Sequence, residues 1–215
     1  MKLHLGCGQK YFEGYVNIDY PPSNHTVMSE TVADEFANLF EQQYSAKTID
    51  EVRLHHVFEH FSRSQACALL ASWNSWLKIG GVLRIEVPDF YNTAKIMFNP
   101  IASDKKKSIA LRHIFGSQEA HWAIHYDGYT KSTLKLFLKL FGYEPIKFHS
   151  NSWLGTHNIE VIASKVTDLD SDASFNAAKI YLSRFMVDDS ESEQMQLNTW
   201  LDDYKEQVKK TYSRA

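Results

Sequence analysis

The hydrophobic and polar positions of the chain switch between a period of two and a period near 3.6, and the switches mark out its elements. Lys2 to Leu5 is a short apolar run broken by Gly6-Cys7-Gly8, the pattern of a buried strand entering a tight turn. Val16-Asn17-Ile18-Asp19 predicts a second strand that ends in a carboxylate and is stopped by Pro21-Pro22-Ser23-Asn24. Thr31-Val32-Ala33, followed by Asp34, is a weaker third strand, and Glu51-Val52-Arg53-Leu54 is a fourth that opens onto His55-His56. From Ser62 the helical period takes over, with Ser62-x-x-Gln65 as a capping box and Ala66, Leu69, Leu70, Trp73 and Leu77 on one face. Gly80-Gly81 is expected to terminate this helix, after which Val82 to Val87 alternates as a fifth strand broken by Pro88-Asp89. Thr130 to Leu140 predicts a later helix, with Leu134, Phe137, Leu138 and Phe141 as its stripe and Gly142 as its stop. Two last strands, about Pro145 to His149 and Asn158 to Ser164, are joined through Trp153-Leu154-Gly155, short enough for an antiparallel pair.

Strands alternating with helices predict an α/β domain: a Rossmann-like, mostly parallel sheet with helices on both faces and an antiparallel last strand. Such sheets bind ligands beyond the carboxyl ends of their strands, and Gly6-Cys7-Gly8, Asp19, Asp34 and His55-His56 all fall there. Past Lys165 the composition turns to Asp, Ser, Glu, Gln and Lys, and apolar residues thin to helical stripes such as Leu197, Leu201, Tyr204 and Val208. This divides the chain into a domain over residues 1–165 and a C-terminal helical extension over 166–215. The stripe needs burial, either on the domain or in a homodimer through the C-terminal helices.

Composition narrows the classes. With 215 residues, 44% hydrophobic and 23% charged, the chain is an ordinary globular protein with one main core. A net charge of −3 supplies no general attraction to nucleic acid or to a membrane surface, and neither partner is expected. The start MKLHLGCG enters a strand directly, without the apolar stretch of a signal or a span, so the expected compartment is the cytoplasm. Cys7 and Cys67 are too few for a disulfide or metal framework and are read as reduced thiols.

A strand that ends in Gly-x-Gly lets backbone approach a bound nucleotide or amino-acid group closely, and Asp19, at the end of the next strand, can accept both hydroxyl hydrogens of a ribose. A dinucleotide fingerprint would need a third glycine where Tyr11 stands. Four pieces together carry a more specific likeness: Leu3-His4-Leu5-Gly6-Cys7-Gly8, Val16-Asn17-Ile18-Asp19, Leu54-His55-His56-Val57-Phe58-Glu59-His60-Phe61, and Leu77-Lys78-Ile79-Gly80-Gly81-Val82-Leu83-Arg84-Ile85. On these the sequence resembles the class I S-adenosylmethionine-dependent methyltransferases, over roughly residues 2–164. The resemblance implies S-adenosylmethionine as cofactor. Leu5, Gly6, Cys7 and Gly8 would lie along its methionine and ribose parts, Asp19 with Tyr20 at the ribose, Asp34 at the adenine, and His55 and His56 beside the sulfonium methyl. One departure stands out: only ten residues separate Gly8 from Asp19, too few for a full crossover helix, so the first helix must be vestigial and the methionine end must be covered from elsewhere.

The remaining chemistry is polar and aromatic. His56-Val57-Phe58-Glu59-His60 spells the inverted zinc-protease motif, which needs a helix to bring its ligands onto one face, yet it directly follows a strand. His121-Trp122-Ala123-Ile124-His125-Tyr126-Asp127 is the densest polar-aromatic cluster. Within it His121 or His125 is a candidate general base and Tyr126 a candidate orienting group, while the alternative is a packed segment with satisfied nitrogens. His56 joins them as a candidate catalytic residue, and no metal ligand set is assigned. The tetrapeptide Asp/Asn-Pro-Pro-aromatic used on nucleobase amines is absent, so the expected acceptor is a small or sugar-like molecule. Three functions follow in order: methyl transfer, zinc-dependent hydrolysis through His56, Glu59 and His60, and a non-catalytic interaction protein on the same fold.

Overall fold

A computed structural model describes residues 1–21 and 32–212. Its centre is a seven-stranded sheet in the order β3-β2-β1-β4-β5-β7-β6. The strands are β1 (Lys2–Leu5), β2 (Val16–Asp19), β3 (Glu35–Phe36), β4 (Ile49–His55), β5 (Leu77–Pro88), β6 (Tyr143–Trp153) and β7 (Thr156–Lys165). β1 to β5 pair in parallel, and β7 is antiparallel to both β5 and β6. The helices are α1 (Arg63–Trp76), α2 (Phe90–Phe98), α3 (Asp104–Phe115), α4 (Lys131–Leu140), α5 (Ser171–Ser183) and α6 (Glu191–Tyr212).

The two faces of the sheet differ because side chains alternate along each strand. Leu3, Leu5, Ile18, Val52, Leu54, Leu83, Ile85, Val87, Ile159, Val161 and Ala163 make one apolar face, sealed under α1 and α4. The extension shares that core: Tyr181 of α5 stacks on Phe137 of α4 with ring centroids 3.7 Å apart, and Leu197, Leu201 and Tyr204 of α6 are buried in it. The stripe of the C-terminal helix is thus covered within one chain.

On the opposite face stand His4, Asn17, Arg53, Arg84, Glu86 and Glu160. Arg84 pairs with Glu160 (3.1 Å) and Glu51 (3.4 Å), and Arg53 with Glu160 (3.4 Å). α2 and α3 cover the β7 side of this face, where His113 Nε2 donates to Asn158 Oδ1 at 2.9 Å. No helix joins β1 to β2. Asn17 organises that short connection instead: its Oδ1 accepts from Phe12 N (2.9 Å), and its Nδ2 donates to Phe12 O (3.1 Å) and Tyr15 O (3.2 Å). Phe12 then covers the sheet, edge-on to His4 and under the Arg53 guanidinium, 4.2 Å from the ring centroid.

His4 is fully buried there, with Nδ1 bonded to Asn17 Oδ1 at 3.1 Å. Burial pulls its pKa down to about 4, opposed by the Asn17 bond and assisted by the Arg53 charge. The native state therefore prefers the neutral ring, and the unfolded chain takes up its proton first. The stability this group contributes is complete above pH 6.5 and is lost as pH falls toward 4, at most about 3 kcal/mol. Urea unfolding of wild type and His4→Leu across that window should show a shallower loss in the variant; parallel curves would contradict it.

Two boundaries differ from the sequence expectation. The Ser62 capping box is present, with Gln65 N donating to Ser62 Oγ (3.3 Å) and Ser62 N to Gln65 Oε1 (3.0 Å). The helix, however, stops at Trp76 rather than at the glycine pair. The reason is a distant lysine: the buried Lys165 ammonium donates to the Asn74 carbonyl and, at 2.8 Å, to the Leu77 carbonyl, capping the helix end. Leu77 pairs with Ile49 and β5 runs through Gly80, whose φ of 81° absorbs an irregularity in the pairing. The weak third strand lies at Glu35–Phe36, after Asp34 rather than before it; Thr31 lies outside the described residues.

Candidate functional site

The loop after β1 is shaped by close approach. Gly6 has φ 68°, and a Cβ there would meet Val57 Cγ2 at 2.3 Å, so only glycine fits between this loop and the turn after β4. Gly6 N and Cys7 N both donate to Ile18 O, at 2.8 and 3.0 Å, which draws the loop against the end of β2. Asp19 completes the arrangement: its Oδ2 accepts from Gly8 N and its Oδ1 from Tyr20 N, each at 2.8 Å. The carboxylate thus lies where the loop after β1 meets the end of β2.

Gly6, Cys7, Gly8, Asp19 and Tyr20 form one wall of a cleft of about 690 Å³. Asn38, Leu39 and Phe40 follow β3 along its floor, and His121, Trp122 and Tyr126 stand on the far side. Leu5 and Asp34 do not line it. The Leu5 side chain is buried in the core, and the Asp34 carboxylate accepts from Asn17 N (2.8 Å) and Asn17 Nδ2 (3.0 Å), bonds that lower its pKa. Asp34 thereby ties β2 to the segment entering β3, and Asn38, four residues on, lines the cleft instead.

A second cavity of about 920 Å³ adjoins the first, and His55, His56, His60 and Trp122 line both. Its far wall is α3, which presents Lys105, Ile109, Arg112 and His113 at helical spacing. Lys10, Lys105 and Arg112 have no ion-pair partner among the described residues, while the acids Glu59 and Glu86 are engaged by histidines, leaving Glu119 as the unengaged acid. Three basic side chains, three acidic ones and the protonated His56 leave the lining with an excess of one positive charge. His125 lies here, and the residue two before Asp127 thus parts from His121 and Tyr126, which face the first cleft. Asp127 itself is tied to Arg63 at 3.3 Å.

The partition between the cavities is an ionic cluster. His56, at φ 55°, directs Nδ1 to Glu59 Oε1 (3.2 Å) and Nε2 to Glu86 Oε1 (3.4 Å). Burial opposes its charge, but the hydrogen bonds and charges of Glu59 and Glu86 together prevail and raise its pKa to about 9. The same contacts outweigh burial on the acid side and hold both glutamates below their ordinary range. His55 Nε2 sits 2.7 Å from Lys10 Nζ and 3.2 Å from Glu86 Oε1. Residues 58–60 form only one tight turn and His56 precedes it, so His56, Glu59 and His60 do not share a helix face and both His56 nitrogens are already engaged. The inverted zinc-protease arrangement is not formed. Burial lowers the pKa of both His113 and His125.

Glu86, Lys105, Arg112, His113 and Asn38 are site residues that the sequence reading did not single out. Glu86 lay in plain alternation on the polar side of β5. α3 gave little signal because Ala110 is its one buried residue; the trace that would have revealed it is Ser103, whose side chain caps the helix, followed by polar residues at one-turn intervals.

No protein-family model and no curated protein matches the sequence. Solved structures do match its fold. A S-adenosylmethionine-dependent methyltransferase from Archaeoglobus fulgidus aligns at a TM-score of 0.51 and 18% identity, over 76% of this chain and 85% of that one. One from Methanosarcina mazei aligns at 0.50 and 13%, over 77% and 92%. The 1,6-didemethyltoxoflavin-N1-methyltransferase of Burkholderia thailandensis, solved with 1,6-didemethyltoxoflavin and S-adenosylhomocysteine, aligns at 0.50 and 16%, over 77% and 71%. The architecture is the class I methyltransferase fold, and among the described residues no helix is long and apolar enough to cross a membrane.

Proposed function

From that fold and its paired cavities, we propose that the protein transfers the methyl group of S-adenosylmethionine to a small, anionic, hydroxyl-bearing acceptor of sugar-like size. The observation that carries the reading is the shared partition: a cleft walled by Gly6, Gly8 and Asp19 abuts a second, cationic chamber across His55, His56, His60 and Trp122. In this assignment Asp19 accepts the ribose hydroxyls, the adenine runs toward Asn38, Leu39 and Phe40, and the methionine end lies along Gly6 to Gly8. His121, Trp122 and Tyr126 supply the cover that the missing first helix would give.

A cofactor held so would supply its methyl at the partition, and the second chamber would present the acceptor there. The acceptor oxygen would bond the methyl carbon as the carbon–sulfur bond broke, with the electron pair staying on sulfur, the hydroxyl proton passing to water in the open chamber, and S-adenosylhomocysteine leaving. Alignment of the two reactants carries most of such a rate enhancement. His56, clamped by two carboxylates, acts as a fixed support of the partition, and His121 and Tyr126 belong to cofactor cover rather than to acceptor chemistry.

Arg112 tests the acceptor half. Arg112→Glu should leave cofactor affinity unchanged and raise KM for an anionic acceptor on the order of tenfold, the loss of one charge-assisted hydrogen bond. Cofactor affinity falling as steeply as acceptor KM rises would contradict the division into two chambers.

A further inference from the structure

Beside the His55–His56–Glu86 cluster lies a second one, of which the reading above names only His60, as part of the partition. Glu59, His60 and His125 each offer a ligand atom, and the three atoms lie within 4.8 Å of one another. Glu59 is 1% exposed; its Oε1 meets His56 Nδ1 and lies 4.0 Å from His125 Nε2, while its Oε2 is buried without a hydrogen-bond donor. A buried carboxylate oxygen left without a partner is costly, and with two imidazoles beside the carboxylate it marks a place for a positive charge.

The imidazoles are oriented to receive one. His60 Nδ1 donates to the Ile124 carbonyl at 3.1 Å, which leaves Nε2 with the lone pair. His125 turns Nε2 toward Glu59, 4.0 Å from its Oε1, and packs edge-on against the His60 ring. An outer hydrogen bond to a backbone carbonyl, like that of His60, is what fixes ring and tautomer in metal-binding histidines. The neighbouring cluster lacks this preparation: His56 is engaged by two glutamates, and the Lys10 ammonium beside His55 opposes a second cation.

We propose that Glu59, His60 and His125 bind one divalent transition-metal ion. Two imidazoles and one carboxylate suit zinc, manganese, iron, cobalt or nickel better than magnesium or calcium, which prefer all-oxygen shells. Three protein ligands leave positions open. Because Glu59, His60 and His125 all line the acceptor chamber and His60 borders the cofactor cleft as well, the open positions face the junction of the two. An acceptor hydroxyl bound there becomes more acidic. Its proton passes to water in the open chamber, its oxygen bonds the methyl carbon, and the carbon–sulfur pair stays on sulfur. Only this role rests on the methyl-transfer reading; the site itself does not.

The test uses tag-free protein stripped with a chelator and titrated with Co²⁺, following visible d–d absorption and bound cobalt by elemental analysis after dialysis. The expected result is one cobalt per chain in wild type and in His149→Ala, an exposed histidine of β6 outside the site. His60→Ala and His125→Ala should each weaken binding by at least the roughly 10–100-fold that outer-shell changes cost, with melting curves showing folded protein. No stoichiometric uptake by folded wild type, or undiminished uptake in the His60→Ala/His125→Ala double variant, would overturn the site. S-adenosylmethionine calorimetry on the same samples separates the two readings: cobalt uptake without cofactor binding would leave the site standing and remove methyl transfer.

Discussion

Replacing Asp19 by Ala is expected to weaken S-adenosylmethionine binding by about 1.5–3 kcal/mol, roughly ten- to 150-fold in Kd, the range for hydrogen bonds to a charged group. The expectation has two sources. In the proposed assignment the carboxylate accepts the ribose hydroxyls, and it also orders the loop by receiving Gly8 N and Tyr20 N. Asp19→Asn keeps one oxygen for a backbone donor but loses the charge and half of the acceptor capacity, so its Kd should fall between wild type and Asp19→Ala. Calorimetry on variants with unchanged melting curves measures both, and an Asp19→Ala affinity equal to wild type would refute the ribose assignment.

Phe137→Ala is expected to destabilise the fold by about 3–5 kcal/mol, the usual cost of deleting a buried aromatic ring. Phe137 is fully buried, lies parallel to Tyr181 at 3.7 Å, and also neighbours Phe58 and Phe141 with centroids 6.0 and 5.5 Å away. One ring thus links α4, the turn carrying Glu59, and the first helix of the C-terminal extension. Because that extension shares the core, urea unfolding of wild type should show a single transition, and the variant should shift all of it. A loss below about 1 kcal/mol, or a separate early transition for residues 166–212, would show that the extension is not part of the same cooperative unit.

The parts of the molecule legible in the sequence were those where local chemistry decides the structure. Ser62 and Gln65 cap α1 by bonds between neighbours, the Leu134–Phe137–Leu138 stripe buries α4, and the gap of ten residues before Asp19 leaves no room for a helix. What escaped depended on residues far apart in the chain. The end of α1 is set by Lys165, about ninety positions from the carbonyls it caps, and no local pattern announces that. Asp34, expected at the adenine, accepts from Asn17 through Oδ2 across the strand pair and does not line the cleft. The division of His121 and His125 between two cavities follows from a short turn over His121–Ala123, which sends residues four apart in different directions.

The site is therefore composed from two sources. The glycine loop and Asp19 belong to the parallel half of the sheet and were visible as motifs. The second cavity is assembled from α3, Trp122, Ala123, His125 and the β6–β7 end, whose polar residues carry no motif and come together only when the topology brings them to the partition at His55 and His56.

Titration of the wild-type protein with S-adenosylmethionine, and separately with S-adenosylhomocysteine, in a calorimeter tests the central claim most directly. Saturable binding at one ligand per chain is the predicted result, whereas folded protein giving no heat with either ligand up to millimolar concentration would contradict it.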